Sequence, residues 1–460
     1  MGARTTSIWA FAAFVGGLVA IGTAAPARLP NILFILADDM GWNSAGYHGS
    51  TYYETPNIDR LAHRGVRFTD AYSAAPICSP TRAALMTGKS PARLHLTDYI
   101  PGGLWEEKPL VTPKMQQGLP LAEHTLAERL KERGYATGLF GKWHLAPDYE
   151  YQPNRPMDPE SQGFDTVFHT RKPEDEDIKA LKPDAHNASE ITDRALAFIH
   201  ANRARPFFCY VAHNVVHRPL GEDPALVEKY RRKPGAGRPE NNALIGAMLE
   251  RMDRGIGRLL EALDAEGLAA DTLVVFASDN GTVLADQSQA PFRGGKATLW
   301  EGGLRVPLAI HWPGVTRVDA VSHEPVLTND LFFTLCDAAG APTGDVPRDG
   351  LSLVAHLRTA APLGRDAIYF HYPHYHHLGD MRPASAIRTE RYKLIEWHEG
   401  ALLGRGPAVS LFDLTADPGE QNDLAVDQPE RAAQLRAQLG RWRASVGAQT
   451  MTVRAAPPRP

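Results

Sequence analysis

The chain is poor in cysteine. Among 460 residues only Cys78, Cys209 and Cys336 occur. Three cysteines cannot build a disulfide framework, so the fold must rest on its core. Charge of one sign is also lacking: the formal net charge is -4. That balance excludes the basic field of a nucleic-acid binder, and an anionic substrate would have to meet locally placed cations. Membrane-length apolar runs are missing too. The longest, Ile8 to Ile21, falls short of the roughly 20 residues a spanning helix needs, and no basic stop-transfer cluster follows it. With Arg4 before it and Ala25-Pro26-Ala27 after it, residues 1–27 read as an export signal rather than an anchor. The mature protein is therefore expected to be exported, periplasmic or secreted, with no stable membrane span.

What the chain does have is length and apolar content: 43% of its residues are hydrophobic. Ile32–Ala37, Ala136–Phe140, Phe207–Ala212 and Leu273–Ala277 are short runs that read as strands buried on both faces. Amphipathic stretches lie between them. The clearest runs from Leu244 to Leu263, with apolar residues at helical spacing. Alternation of this kind predicts an α/β domain over 28–358, a mostly parallel sheet sandwiched by helices. After about residue 360 the pattern changes. Ile368–Tyr372, Ala386–Arg388, Tyr392–Glu396 and Ser410–Phe412 read as antiparallel strands, and a helix follows near Glu430–Val446. A smaller α+β subdomain is expected over 359–450, with a disordered tail over 451–460. Residues 146–186 and 218–240, rich in Pro, Gly and charge, read as surface insertions.

Two predicted strands end in acidic residues. Ile32–Ala37 runs into Asp38-Asp39, and Leu273–Ser278 runs into Asp279-Asn280-Gly281. Ligands of open α/β sheets gather at the carboxyl ends of strands. Three carboxylates at one edge repel each other unless a cation neutralises them, and oxygen donors favour a hard ion, calcium or magnesium. Either pair alone would read as turn or helix caps. Cys78 lies in Cys78-Ser79-Pro80-Thr81-Arg82, followed by Ala83 to Gly88. Pro80 suits a first helical turn and Gly88 a helix end. Cys78 would then sit where backbone N–H groups favour negative charge, with Arg82 one turn on. A buried structural cysteine and a low-pKa thiolate are both open readings of the residue alone. Cys209 and Cys336, within apolar runs, read as core.

Cys78-Ser79-Pro80-Thr81-Arg82 matches the C-x-P-x-R core of the sulfatase signature, and the chain resembles that family across most of its mature length. Gly134 to His144 is similar to the second signature. His217-Arg218-Pro219 resembles the family's H-x-P element, and Gly295 to Gly303 its lysine-bearing loop. Leu411 to Asn422 is similar to its C-terminal region. The resemblance implies an alkaline-phosphatase-like fold and a sulfuric ester hydrolase whose cysteine is oxidised by a maturation enzyme to formylglycine. It implies calcium, in preference to magnesium, on Asp38, Asp39, Asp279, Asn280 and modified Cys78. Arg82 and Lys142 would hold the formylglycine diol, His144 would be the base for sulfate release, and His217 and Lys296 would bind sulfate and assist the departing alcohol. His213 matches no motif position and reads as structural.

The run His371 to His377 is the most unusual left. It reads as an aromatic substrate wall, with His374 contacting a sugar and Arg382 pairing with an acid group. Its wording resembles bacterial carbohydrate sulfatases, so a sulfated saccharide is the expected substrate. The alternatives are a small-ester arylsulfatase or a phosphodiesterase or phosphonate hydrolase of the same superfamily. Those phosphoryl enzymes generally carry Thr or Ser as nucleophile, against Cys78 here. A non-catalytic glycan binder would need no such cysteine.

Overall fold

Asn31–Ala37 forms strand β1, and all seven of its residues are buried. Ile32, Phe34 and Leu36 enter one apolar core, while Leu33, Ile35 and Ala37 enter another. A strand apolar on both faces needs a helical layer on each. The computed structural model supplies both layers; it describes residues 1–2, 29–180, 182 and 184–455. All but the first two residues of the expected export signal lie outside the described residues.

The other strands of the main sheet are β2 (Val66–Phe68), β3 (Ala136–Gly141), β4 (Thr166–His169), β5 (Phe207–Ala212), β6 (Thr272–Ser278), β7 (Leu308–His311) and β8 (Ala320–Ser322). Their order is β8-β2-β7-β6-β1-β5-β3-β4. β7 runs antiparallel to both its neighbours, and the remaining pairs are parallel. One face is covered by helices α1 (Cys78–Thr87), α2 (Leu126–Glu132) and α5 (Thr328–Ala338). The other is covered by α3 (Ala188–Asn202) and α4 (Ala243–Ala265). The caps are local: Thr125 and Glu128 form a reciprocal capping box on α2, and the Asn242 side chain accepts from Leu244 N at the start of α4.

The smaller sheet is antiparallel in the order β9 (Ala367–Tyr372), β10 (Ala384–Thr389), β11 (Tyr392–Trp397), β12 (Val409–Asp413). Helix α6 (Pro429–Ser445) packs Ala432, Leu435 and Leu439 on one face. The other face buries Phe370, Ala386 and Ile395 against Tyr72, Ala297 and Leu299 of the main domain. Two expectations change. Residues 146–186 are not wholly an insertion, because they contribute edge strand β4. Thr452–Val453 is not disordered, because it pairs antiparallel with Leu110–Val111; residues 456–460 lie outside the described residues.

A buried ion cluster ties the sheets together. Lys393 is fully buried, with Nζ 2.9 Å from Glu301 and 2.9 Å from Glu420. Glu420 also accepts from Glu301 N at 2.7 Å, and its carbonyl accepts from Arg293 at 3.0 Å. The loop carrying Lys296 is thereby clamped at both ends to the small sheet. Lys393→Met would leave two buried carboxylates sharing too little positive charge. The expected cost is about 3–5 kcal/mol, read as a lowered Tm; an unchanged Tm would mean the cluster does not hold the sheets.

Candidate active site at the strand ends

The register of the sheet assembles the site. Ala37 of β1 lies opposite Ser278 of β6, so Asp38 and Asp279 leave the sheet at the same level. On the other side Gly141 of β3 lies opposite Ala212 of β5, and Lys142 N donates to Ala212 O at 2.7 Å. Lys142 and the segment to His217 therefore reach the same edge. Asp39 has φ 62, and its N–H donates to Asp279 Oδ1 at 3.1 Å. That left-handed turn lets Asp39 as well as Asp38 face the site. A Cβ on Gly281 would stand 2.0 Å from Gly302 O, so only glycine lets the Lys296 loop lie against Asn280.

Helix α1 begins at Cys78 and ends at Gly88, which takes the left-handed conformation, φ 70. Cys78 Sγ is 3.7 Å from Asp38 Oδ1 and 3.9 Å from Asp39 Oδ1. Arg82, one turn on, puts Nε 2.9 Å and Nη2 2.8 Å from Asp279 Oδ2 and donates from Nη1 to Lys142 O at 3.0 Å. Lys142 Nζ is 2.8 Å from Asp38, and Lys296 Nζ is 2.7 Å from Asp39. The two histidines are held in opposite tautomers. His217 Nδ1 lies 2.6 Å from Arg218 O, so it carries the proton and leaves Nε2, 3.8 Å from Asp39, toward the site. His144 Nε2 lies 2.9 Å from Ile100 O and carries its proton; Nδ1 is buried with no hydrogen-bond partner among the described residues.

Burial opposes charge here, and the cations answer it. Burial would raise Asp38 and Asp39, but Lys142 beside the first and Lys296 beside the second hold both below the ordinary carboxylate range. Burial and the Asp38 charge push Asp279 up to about 6, despite Arg82. Burial lowers His144 well below the imidazole range and brings His217 down to about 4, each helped by a neighbouring lysine. For Cys78, burial pushes the thiol up to about 12, and Lys142 and Lys296 offset only part of that. That direction disfavours the thiolate reading of an unmodified Cys78.

Asp38, Asp39 and Asp279 are matched by Arg82, Lys142 and Lys296, so the site is internally compensated. The donors nevertheless suit a hard cation. Asp38, Asp39, Cys78 and His217 bring ligand atoms within 4.8 Å of one another. Asn280 commits Nδ2 to Asp39 at 2.7 Å, leaving its buried Oδ1 without a partner. An orphaned carbonyl oxygen among carboxylates is what a calcium or magnesium ion takes. His217, read from the sequence as binding sulfate and assisting the departing alcohol, also lies within ligating distance of this group. His213, buried and without partners at either ring nitrogen, stands outside it.

His374 and Arg382 depart from their expected roles. His374 is 4% exposed, and its Nε2 lies 2.8 Å from Thr97 Oγ1. It is turned into the interior and does not line the cavity beside Lys142, His144 and His217. Arg382 lies over the Trp397 ring at 5.3 Å and 3.8 Å from Glu399, also away from that cavity. His371 is held by Ser385 Oγ at 2.8 Å and Gln449 O at 2.8 Å. Burial brings His371 down to about 4, from an ordinary 6.5. The folded state holds the imidazole neutral while the unfolded chain binds a proton below pH 6.5, so stability is lost as pH falls from 6.5 through 4. Roughly 3 kcal/mol is at stake at that residue. Tm should fall across that window, and His371→Gln should flatten part of the fall; an equal slope in the variant would exclude His371 as its source.

The sequence reading missed Tyr149. Its ring lies 5.2 Å from that of His144, and its hydroxyl donates to the same Ile100 carbonyl at 3.1 Å. It sits in the charged stretch Asp148-Tyr149-Glu150, without periodicity or motif to mark it.

The sulfatase family profile matches residues 30–341, and the profile of the N-sulphoglucosamine sulphohydrolase C-terminal region matches 295–445. Arylsulfatase A of Homo sapiens is 33% identical over 455 residues, covering 87% of this chain and 84% of that protein. N-acetylgalactosamine-6-sulfatase of Homo sapiens is 32% identical, covering 89% and 84%. The crystal structure of Ps i-CgsB in complex with k-i-k-neocarrahexaose superposes with a TM-score of 0.74 at 27% identity, covering 90% of this chain and 93% of that one. Among the described residues no helix is long and apolar enough to cross a membrane. With the family profile running through every strand of the main sheet and relatives aligned over most of their length, the chain belongs to the sulfatase family and is a hydrolase of sulfate esters.

Proposed function

We propose that this sulfatase releases inorganic sulfate from a sulfated saccharide, using a geminal diol made from Cys78. The observation that carries the reading is the place of Cys78: first residue of a buried helix, within 4 Å of two carboxylates. A maturation enzyme, supplying a two-electron oxidant of its own, would convert the CH2–SH to an aldehyde, formylglycine, with the sulfur leaving as sulfide, and the aldehyde hydrates to the diol. One diol hydroxyl attacks sulfur, giving its proton to His217 Nε2, and the bond from sulfur to the sugar oxygen breaks as that oxygen takes a proton from His217 or Lys296. The second hydroxyl then gives its proton to His144 Nδ1, the bond from carbon to the sulfate oxygen breaks, and the aldehyde returns with free sulfate. Serine could not finish this sequence, because it has no second hydroxyl to collapse.

Each residue has a job that its geometry favours. Lys142 and Arg82 flank the Cys78 position and hold the diol. Lys296 stays charged beside Asp39 and donates toward the leaving oxygen. His217 turns Nε2 to the site and would donate to the sulfuryl group once that nitrogen has taken the diol proton. A calcium ion on Asp38, Asp39, Asp279, Asn280 and the modified residue 78 would neutralise developing charge on the diol and sulfuryl oxygens. Three carboxylates with an amide, all oxygen donors, favour it over softer metals. A saccharide substrate is supported by the relatives, one a hexosamine sulfatase and another solved with a carrahexaose. The leader-like N-terminus supports export, to the periplasm or medium.

The test is sulfate release, followed by ion chromatography, from sulfated mono- and oligosaccharides and from 4-nitrocatechol sulfate, with the Cys78 modification verified beforehand. Release from at least one saccharide is expected. Release from the aryl ester alone would remove the saccharide reading, and release from none would remove the function.

A further inference from the structure

The cavity beside the reactive residues is narrow. About 40 Å³ lies between Lys142, His144, His217 and Tyr149. It is the narrow end of the cleft, beside the residues that hold the ester. It widens past Tyr149, His169 and Lys172 into an outer cavity of about 690 Å³ bounded by the same residues and Tyr151. That volume lies within the ~300–1,000 Å³ of ligand pockets.

The walls of the outer cavity are those of a sugar site. Tyr149 is 42% exposed, yet its hydroxyl is anchored on Ile100 O, which makes it a fixed platform at the neck. Tyr151 and His169 stack at 5.1 Å between ring centroids, with planes 20° apart. Lys172 is exposed and forms no ion pair among the described residues. Arg171 reaches only Glu174, at 3.5 Å, with both side chains more than half exposed. The nearby carboxylates of Asp148 and Asp158 are already taken by Arg155, at 3.0 and 2.7 Å. Glu150, Glu174 and Asp177 also line the cavity; Glu174 pairs with Arg171 and Asp177 with Lys182, both exposed and weak, so Lys172 is the cation without an ion pair among the described residues and Arg171 the one beside it.

We infer that this outer cavity binds the sugar next to the sulfated one and that Arg171 and Lys172 receive an acidic group on it, a second sulfate or a carboxylate. The inference rests on the saccharide sulfatase reading and narrows it: the preferred substrate is an oligosaccharide with at least two acidic groups. Small aryl esters fill the neck alone and leave the outer cavity to solvent.

The experiment compares Lys172→Ala/Arg171→Ala with the unaltered, modified enzyme. Heparin-, chondroitin- and carrageenan-derived tetrasaccharides compete against hydrolysis of 4-nitrocatechol sulfate, and calorimetry measures their binding directly. At least one tetrasaccharide should bind about tenfold or more tightly than its monosulfated monosaccharide, as charge-assisted hydrogen bonds would give. In the double variant that advantage should shrink about tenfold more than kcat/KM for the aryl ester does, and Lys172→Arg should restore much of it. If no tetrasaccharide outbinds the monosaccharide, or if the advantage survives in the variant, the inference fails. Aryl ester turnover without the advantage would overturn this inference alone, whereas absence of turnover on every ester would overturn the function beneath it.

Discussion

Serine in place of Cys78 should give a folded protein that liberates at most about one equivalent of alcohol per active site and then stops, with no inorganic sulfate. The serine oxygen occupies the position of the attacking diol oxygen, at the start of α1 and beside Lys142 and Lys296. It can accept the sulfuryl group, but the resulting sulfate monoester has no neighbouring hydroxyl through which to collapse. Cys78→Ala should lose even that single event, a fall in turnover of at least about 10³-fold, the scale on which nucleophile deletions act. Residue 78 is buried but small, so neither change should lower Tm by more than a few degrees. Steady turnover by either variant, measured as sulfate, would mean that the nucleophile lies elsewhere.

Chelation should act nearly as strongly on turnover and far less on the fold. The three carboxylates already have three cationic partners, so the site does not depend on a metal to avoid self-repulsion. Removing a bound ion at about 100 times its Kd should cost only about 2.7 kcal/mol. For a chain of this size that is a fall in Tm of about 3 °C. Turnover should drop by at least about 10²-fold, because charge on the sulfuryl oxygens then goes uncompensated. Added calcium should restore activity. Asn280→Ala should weaken calcium binding, since the unpartnered Oδ1 is the donor with no other use. A chelated enzyme that keeps full activity would remove the metal from the account, and one that unfolds would contradict the internal compensation.

Much of the site was legible because it is written where strands stop. A buried strand must be apolar throughout, so the first acidic residue after β1 or β6 marks the sheet edge, and parallel pairing brings those edges together. The helix at Cys78 was legible from Pro80 and Gly88. The partners of the charged groups were not. Nothing local says that Arg82 bonds Asp279, 197 residues away, rather than waiting for substrate. His374 shows the same limit. Its neighbours in sequence suggest an aromatic substrate wall, but its partner Thr97 is 277 residues distant and reachable only once the two sheets are packed. The short edge strands β4 and β8 escaped because a strand buried on one side, or hardly at all, carries too few apolar residues to stand out.

The central claim is that residue 78 is no longer a cysteine when the enzyme works. Peptide mass spectrometry of protein taken from its native host, on the segment containing residues 78–82, tests it directly. The account predicts the mass of formylglycine, or of its hydrate, at position 78 in the active fraction. An active enzyme in which that peptide carries an unmodified thiol, alkylated in full by iodoacetamide after denaturation, would contradict it.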